Sequence, residues 1–179
     1  MTSCRRFKAT DLFTLNAVNL DILTETYNIS FYLSYMSRWP DLFLGNFSQN
    51  GDMMGYIMGK AEGYKKEHHA HVTAVSVAPQ YRRLGLARGM MDVLEEAGNS
   101  VFHGYFVDLF VRESNALAIK MYRSLGYSVY RRVVGYYTAS KGPDEDAFDM
   151  RKPLAKDTKR ECIREGGEDI RVDPDDVYF

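Results

Sequence analysis

VSVAPQYRRLGLA, residues 75–87, runs from an apolar, β-branched segment through a polar turn into a helical pattern. Backbone N–H groups that converge in such a turn bind diphosphates, together with the positive end of the helix dipole. Gly85 lets the backbone approach a ligand closely, and Ala87 keeps the first helical turn open. Arg82 and Arg83 add charge-assisted contacts. The segment predicts a diphosphate site, with a plain strand–helix turn carrying two solvated arginines as the alternative.

Two common nucleotide-binding motifs are absent from this turn. No Gly-Lys-Ser or Gly-Lys-Thr follows Gly85, so the turn is not a Walker A loop. It also lacks the pattern Gly-x-Gly-x-x-Gly, which disfavours a nicotinamide dinucleotide as the cofactor. A nucleotide-binding protein of another type stays open as an alternative.

The periodicity outside this unit predicts an α/β fold with a mixed, mostly antiparallel sheet flanked by helices. Asn50-Gly51 tolerates positive φ and predicts a hairpin. Gly98 and Gly126 are expected to end the two later helices, and Ser114 to cap the second of them. The predicted strands are 3–8, 42–47, 53–62, 69–77, 105–111, 127–139 and 147–151, and the predicted helices start at Asp11 and span 31–39, 84–97 and 114–125.

Composition and charge narrow the class of protein. With 179 residues, 45% hydrophobic and 26% charged, the chain suits one globular domain. A net charge of -1 gives no basic excess, so direct nucleic-acid binding is not favoured. Cys4 and Cys162 share no metal or redox motif, and neither a secretory signal nor an apolar run of about 20 residues is present. These features predict a cytoplasmic protein that does not bind membranes.

The two ends of the chain differ in composition. Residues 1–152 carry the strand and helix patterns and are expected to form the domain. Just over half of residues 151–179 are charged, and few are apolar. Residues 153–179 are therefore expected to form a flexible or partner-dependent tail.

Residues 75–95, VSVAPQYRRLGLARGMMDVLE, resemble the acetyl-CoA signature of the GNAT superfamily, Arg/Gln-x-x-Gly-x-Gly/Ala. The match lies at Arg82, Gly85 and Ala87. The resemblance implies the GNAT fold and acetyl-CoA as co-substrate. It also implies that the loop amides hold the pyrophosphate, and that the preceding strand end pairs with the pantetheine arm and offers an amide to the thioester oxygen. The cofactor-binding residues expected from this and the next segment are Val75, Ser76, Val77, Arg82, Arg83, Leu84, Gly85, Leu86, Ala87, Asn115 and Tyr122.

A second segment, FVRESNALAIKMYRSLGY at residues 110–127, resembles a later helix of the same superfamily. Asn115 and Tyr122 are about two helical turns apart, so they share a face. The resemblance implies that Asn115 contacts CoA and that Tyr122 lies near its sulfur. Tyr122 is the candidate catalytic acid that protonates the departing thiolate. A core tyrosine packed through its ring is the alternative.

Several separated blocks narrow the resemblance to the catalytic subunits of NatB-type amino-terminal acetyltransferases. They are LTETYNISFYLSYMSRWPDLF, GYIMGKAEG, HVTAVSVAP, DLFVR, GYSVYRRVVGYY and DEDAFDMRK, spread over residues 1–152. The resemblance implies acetyl transfer to the α-amine of proteins that begin Met-Asp, Met-Glu, Met-Asn or Met-Gln. It implies two partners, a helical-repeat auxiliary subunit and nascent polypeptides at the ribosome. Gly135 and a short loop before His69 depart from the family pattern.

The same resemblance assigns a substrate site. Period two places His69, His71 and Thr73 on one strand face, and His71 with Thr73 would bind the second side chain of the substrate. Half-exposed strand histidines and a zinc site are the alternatives, but no third and fourth zinc ligands have suitable spacing, so no metal is expected. The remaining candidates are Tyr136 and Tyr137 for the peptide backbone, Tyr27 for methionine, and Glu25 for methionine and for proton removal through water.

Other functions remain open at this stage. A GNAT enzyme could acetylate other N-termini, lysine side chains or small amines, and a non-catalytic protein could bind CoA as a scaffold. The first two helices are rich in apolar residues, which predicts a surface for the auxiliary subunit. These residues are Leu12, Leu15, Phe31, Leu33, Tyr35, Met36 and Trp39.

Overall fold

Eight strands form one mixed sheet in the computed structural model, which describes residues 2–20, 24–138 and 142–177. In chain order they are β1 (Ser3–Arg6), β2 (Phe43–Phe47), β3 (Met53–Glu62), β4 (His69–Val77), β5 (Phe106–Arg112), β6 (Ser128–Tyr137), β7 (Glu145–Pro153) and β8 (Arg171–Val172). Across the sheet they follow the order β1-β2-β3-β4-β5-β7-β6-β8. The pairs β4–β5 and β6–β8 are parallel, and the other neighbouring pairs are antiparallel. The expected α/β fold is confirmed; Ala139, predicted to end a strand, lies outside the described residues.

Three α-helices flank the sheet in the described part of the chain: α1 (Ile29–Arg38), α2 (Leu86–Ser100) and α3 (Ala116–Ser124). The helix predicted from Asp11 is instead a 3₁₀ helix, Ala9–Ala17. Gly98 does not end α2, which continues to Ser100; a Cβ at Gly98 would lie only 3.0 Å from the Cβ of Ala70, so the glycine allows close packing on the sheet. Asn115, not Ser114, caps α3 by accepting a hydrogen bond from the Ala118 N–H at 3.1 Å. Within the described ranges, no helix is both long enough and apolar enough to cross a bilayer.

The core lies on both faces of the sheet. Ile57 of β3 belongs to a cluster that includes Met90 and Leu94 of α2. Its neighbour Tyr56 belongs to a second cluster with Tyr32 of α1, as expected from the alternation along a strand. Each face is therefore covered by a helix, and the sheet is held between them.

The two central parallel strands separate partway along their length. β4 pairs with β5 only from His69 to Val72, while β5 continues beside β7 as far as Arg112. The register of β3 against β4 shifts at the same level, because Thr73 is skipped in the pairing. Such a bulge bends its strand. The result is a wedge between the strands, bordered by residues 73–77, and the wedge positions the candidate site.

The end of the chain was expected to form a flexible or partner-dependent tail, and its described part packs against the sheet. The boundary expected after residue 152 falls inside β7, and β8 extends the sheet by pairing with β6. Cys162 is buried, and the Asp157 carboxylate accepts the backbone N–H groups of Glu161 and Cys162 at 2.9 and 3.1 Å. High charge predicted disorder, but a few local caps and one strand pairing hold the described part of this segment on the sheet.

Substitution of Gly167 tests whether the C-terminal segment packs on the sheet. It is buried, and a Cβ there would lie 2.0 Å from the Val129 carbonyl oxygen. We expect Gly167→Ala to lower the free energy of unfolding by about 1–3 kcal/mol, the usual cost of overpacking. Gly89, on α2, is the matched control, because a Cβ there meets nothing within 4 Å. Gly89→Ala should raise the free energy of unfolding by about 0.5–1 kcal/mol in the same urea titration. Equal stability of Gly167→Ala and the parent would contradict a packed tail.

Candidate active site

The turn after β4 leads into the N-terminus of α2. Arg83 and Gly85 adopt positive φ, +66° and +78°, and Gly85 is the N-cap of α2. The first intrahelical hydrogen bond runs from the Gly89 N–H to the Gly85 carbonyl, at 3.0 Å, so the N–H groups of residues 86–88 precede it. An α-helix of 15 residues with such a start has the N–H groups and the positive dipole end that suit an anion. Arg82 is oriented by its Nε, which donates to the Val77 carbonyl at 3.2 Å.

The cofactor-binding candidates on β4 lie at the wedge. Val75, Ser76 and Val77 are half-buried and pair with β3 on one side only. Their other edge faces the opening between β4 and β5. Leu84 is exposed beside them, at 63%. The strand end, the turn and the start of α2 therefore form one continuous surface.

Tyr122 lies on the opposite side of the wedge, on α3. Its ring is buried in the core cluster and packs edge-on against Tyr127 at 6.0 Å. Burial raises the pKa of the Tyr122 phenol well above its usual value, so this side chain stays protonated at neutral pH. Asn115 starts the same helix, and the hydrogen bond to Ala118 fixes its side chain. A protonated phenol can act as a proton donor. A tyrosine that only packs in the core would be buried to the same extent.

A chain of ionisable side chains crosses the sheet beside the wedge. Asp108 of β5 is fully buried, and its Oδ1 lies 2.9 Å from the His71 Nδ1 and 3.4 Å from the His69 Nε2. His69 Nε2 also lies 3.7 Å from Glu62 Oε1. Lys60 donates to the other Glu62 oxygen at 2.5 Å. The histidines predicted for the substrate site are thus joined to two carboxylates.

The charges in this chain shift one another's protonation. Burial alone would raise the pKa of Asp108, but His71 and His69 hold it below its usual value. Burial would lower the pKa of His69, yet Asp108 and Glu62 raise it above its usual value. Asp149 and Arg151 lie behind Asp108, joined by a hydrogen bond of 3.1 Å. The site therefore favours the charged form of Asp108 and the imidazolium form of His69.

Glu62, His69 and His71 could surround a metal ion by distance alone, because one ligand atom of each lies within 4.8 Å of the others. Each of the three side chains makes a hydrogen bond within the protein. Glu62 accepts from Lys60, the His69 Nδ1 contacts the Glu67 carbonyl at 2.6 Å, and the His71 Nδ1 contacts Asp108. We interpret these side chains as hydrogen-bonding groups and not as metal ligands. The absence of a metal stays a prediction.

Thr73 and the tyrosine pair border the same opening. The Thr73 hydroxyl lies 2.9 Å from the Tyr35 hydroxyl, and the Tyr27 hydroxyl donates to the Thr73 carbonyl at 3.5 Å. Gly135, with φ of +62°, and a register shift before Tyr137 bend β6. The bend lets both tyrosines contact Phe110. Tyr136 stacks on its ring at 4.8 Å, and the Tyr137 hydroxyl donates to its carbonyl at 3.2 Å.

Glu25 lies at the mouth of the wedge in an ion pair. Arg112 donates to Glu25 at 2.7 Å and to Glu145 at 3.1 Å. The guanidinium also lies 4.0 Å from the centre of the Tyr137 ring. The carboxylate of Glu25 is half-exposed, so water reaches it. Arg112 thereby links the loop before α1 to three strands of the sheet.

Sequence reasoning missed four residues that organise the site: Asp108, Arg112, Tyr35 and Phe110. Asp108 had a visible signal, since it is the one charged residue in an otherwise apolar stretch, residues 105–111. Arg112 had none, because its three partners come from distant parts of the sequence. The structure also shows which apolar residues of the predicted partner surface are exposed. Leu15 and Tyr35 are buried, whereas Phe13, Ile29 and Leu33 are exposed.

Known proteins match this chain along its whole length. The model of the acetyltransferase (GNAT) family matches residues 11–127. The chain is 63% identical to the N-terminal acetyltransferase B complex catalytic subunit naa20 of Schizosaccharomyces pombe, with 100% of both chains covered. It superposes on Chaetomium thermophilum Naa20 in complex with a bisubstrate analogue with a TM-score of 0.93 and 46% identity, covering 99% and 100% of the two chains. In a NatB complex bound to CoA and MES, a chain 49% identical aligns with a TM-score of 0.76, covering 85% and 99%.

The charge state of His69 gives a pH-dependent stability. Because the pKa of His69 in the folded protein is raised above the usual value near 6.5, the contribution of His69 to the free energy of unfolding is fully present below about pH 6.5. It is lost as pH rises through the folded pKa. We expect the difference in free energy of unfolding between the parent and His69→Gln to shrink from pH 6 to pH 9, measured by urea titration. The exposed His103 is the control, and His103→Gln should show no such trend. A constant difference for His69→Gln would mean that the buried ring stays neutral.

Proposed function

The chain belongs to the acetyltransferase (GNAT) family and to its NatB catalytic subunits, and from that premise we propose which amine it acetylates and how. It is an N-terminal acetyltransferase that uses acetyl-CoA. We propose that its substrates are proteins that begin Met-Asp, Met-Glu, Met-Asn or Met-Gln. The observation that carries this proposal is His71, held by the buried carboxylate of Asp108 beside the hydroxyl of Thr73.

The cofactor side of the wedge would bind acetyl-CoA through backbone groups. The N–H groups of residues 82–87 and the N-terminus of α2 would hold the pyrophosphate, with Arg82 and Arg83 adding positive charge. The free edge of Val75–Val77 would pair with the pantetheine arm and offer an N–H to the developing oxyanion. Asn115 would contact CoA from the start of α3.

The reaction needs alignment more than a strong base. The α-amine of a peptide has a pKa of about 8, so a substantial neutral fraction attacks the thioester directly at neutral pH. Its proton would leave through water towards the half-exposed carboxylate of Glu25. Tyr122, protonated at neutral pH, would donate a proton to the departing thiolate. No acyl-enzyme is invoked, because burial raises the pKa of the Cys162 thiol to about 12 and Cys4 lies on the distant edge strand β1.

The peptide would enter between the segment before α1 and the end of β6. Tyr136 and Tyr137, turned by the bend at Gly135, would hold the backbone of the first residues. Glu25 and Tyr27 would border the methionine side chain. His71 and Thr73 would reach the second side chain, for which an imidazole and a hydroxyl supply hydrogen bonds and positive charge. Arg112 would keep Glu25 and Tyr137 at a fixed separation.

The proposed setting is cytoplasmic and cotranslational. Phe13, Ile29 and Leu33 present exposed apolar surface on the 3₁₀ helix and α1, which suits contact with a helical-repeat auxiliary subunit. Two similar chains of known structure come from NatB acetyltransferase complexes. We propose that the pair acts on nascent polypeptides at the ribosome, without direct binding of nucleic acid or membrane by this chain.

A peptide panel tests the substrate class. With the auxiliary subunit present, kcat/KM for Met-Asp and Met-Glu peptides should far exceed that for Ser- or Ala-starting peptides and for internal lysines. His71→Ala and Thr73→Ala should each lower kcat/KM for Met-Asp peptides about tenfold or more, since hydrogen bonds to charged groups contribute about 1.5–3 kcal/mol. His103→Ala, at an exposed site, is the control. Equal losses on every peptide would remove both residues from the second-residue pocket.

Tyr122→Phe tests the proton donor. Loss of the hydroxyl should lower kcat by about 10²–10⁴-fold, the usual contribution of general acid–base catalysis, and leave the Kd of acetyl-CoA nearly unchanged. Tyr127→Phe is the matched control, because it removes a hydroxyl from the adjacent buried ring, where it donates to Glu95 at 2.9 Å. Steady-state kinetics and calorimetric titration with acetyl-CoA provide both values. Unchanged turnover in Tyr122→Phe would show that its role is packing.

A further inference from the structure

The bend in β6 is a bulge that faces a single residue of β7. Residues 134–136 of β6 lie opposite Asp146 alone, between two regular pairs of the ladder. These bordering pairs are Val133 with Ala147 and Tyr137 with Glu145. A bulge leaves backbone groups of the longer strand without partners in the ladder. The pairing of β6 with β8 covers residues 132–133 and so stops short of the bulge, whose backbone needs another partner.

The Asp146 carboxylate is that partner. Its Oδ1 accepts the Gly135 N–H at 2.9 Å, and its Oδ2 lies 3.4 Å from a guanidinium nitrogen of Arg132. Arg132 is also paired with Glu113 at 2.7 Å, and the Glu113 N–H donates to the Asp146 carbonyl at 3.1 Å. The Asp146 side chain is only 22% exposed, so water competes with these bonds in part. The contacts therefore fix the carboxylate beside the bulge.

Gly135 gives the bulge its backbone conformation. Its φ of +62° lies in the left-handed region, which a residue without a Cβ adopts at little cost. Space is not the constraint, because among the described residues a Cβ at this position would meet the Asp144 Cβ alone within 4 Å, at an ordinary contact distance of 3.7 Å. The requirement at residue 135 is therefore a positive φ and an N–H turned towards Asp146.

The bulge sets the direction of the tyrosine pair. Tyr136 lies inside it, and Tyr137 follows directly after it. In a regular strand, adjacent side chains point to opposite faces. Here the two rings lie 5.0 Å apart at an angle of 84°, and both tyrosines contact Phe110. Release of the Gly135 N–H would let β6 return towards regular pairing and would move the two rings apart.

We infer that Asp146 is a positioning residue for peptide binding, because it holds the bulge that aims Tyr136 and Tyr137 at the substrate. The inference rests on the proposed function, which places the backbone of the first substrate residues on these tyrosines. Asp146 acts through them and touches neither the peptide nor acetyl-CoA. The oxygen that faces the Gly135 N–H matters more than the charge, since Arg132 has a second carboxylate partner in Glu113.

Two substitutions of Asp146 separate that oxygen from the rest of the side chain. On the complex with its auxiliary subunit, Asp146→Ala should raise the KM of a Met-Asp peptide about tenfold, because a hydrogen bond to a charged group is lost. The KM of acetyl-CoA should not change. Asp146→Asn keeps an oxygen for the Gly135 N–H and should raise the KM of the peptide much less. A variant that is merely unstable would lower kcat through its smaller folded fraction and leave both KM values unchanged.

Substitutions of Gly135 test the bulge from its other side. Asn adopts positive φ far more readily than a β-branched residue does. Gly135→Val should therefore raise the KM of the peptide several times more than Gly135→Asn. Combining Gly135→Val with Asp146→Ala should raise the KM little beyond the larger single effect, since both changes release the same bulge.

Hydrogen exchange reports on the bulge independently of catalysis. In the complex that carries Asp146→Ala, mass spectrometry should show faster exchange of the amides of residues 133–137 than in the parent complex. Asp157→Ala is the matched control, because the Asp157 carboxylate also accepts backbone N–H groups, those of Glu161 and Cys162, outside β6. It should leave the exchange of residues 133–137 and both KM values unchanged.

Three results would each overturn the inference. They are an unchanged exchange of residues 133–137 in Asp146→Ala, an equal rise in peptide KM for Asp146→Ala and Asp146→Asn, and a parent-like peptide KM in a folded Asp146→Ala when Tyr136→Ala raises it. The proposed function fails in a different way. Tyr136→Ala should raise the KM of the peptide, and a parent-like KM in that variant would contradict the proposed role of the tyrosines, whatever Asp146→Ala does.

Discussion

A buried carboxylate lies where the two parallel strands of the sheet are about to separate. Asp108 of β5 stands opposite His71 of β4, and Val72 opposite Leu109 is the last pair before the strands diverge. Burial of an isolated carboxylate costs several kcal/mol, and the paired imidazoles offset that cost. The attraction between Asp108 and the two histidines therefore closes the sheet on one side of this point and leaves it open on the other.

The open side supplies the two halves of the active site. Residues 73–77 have no pairing with β5 and form the edge where we propose that the cofactor binds, and Gly85, with its positive φ, is the N-cap that starts α2. Phe110 and Arg112 of β5 meanwhile lie beneath the tyrosine pair and hold Glu25 across from it. A cofactor bound along β4 and an amine bound beside β5 would meet where the two strands separate. His71 and Thr73 lie at that point.

Local patterns were enough to predict the strand, the turn and the helix that carry the proposed cofactor-binding residues. The strand, turn and helix around Gly85 follow from adjacent residues, and β4 begins and ends where the alternation predicts, at His69 and Val77. The substrate half depends on contacts between residues far apart, such as Arg112 with Glu25, which no spacing predicts. The tail was expected to be flexible because charge counts do not detect caps such as that of Asp157. Asp108 could have been singled out, since a lone acid in an apolar strand requires a buried partner.

The protonation of one nitrogen tests this account most directly. In the 20.6 kDa chain labelled with ¹⁵N-histidine, two-dimensional NMR separates protonated from unprotonated ring nitrogens, and His71→Gln assigns the signal. The account predicts that the His71 Nδ1 carries a proton at pH 7 and donates it to the Asp108 carboxylate. A neutral ring protonated on Nε2, with Nδ1 bare towards Asp108, would contradict the account.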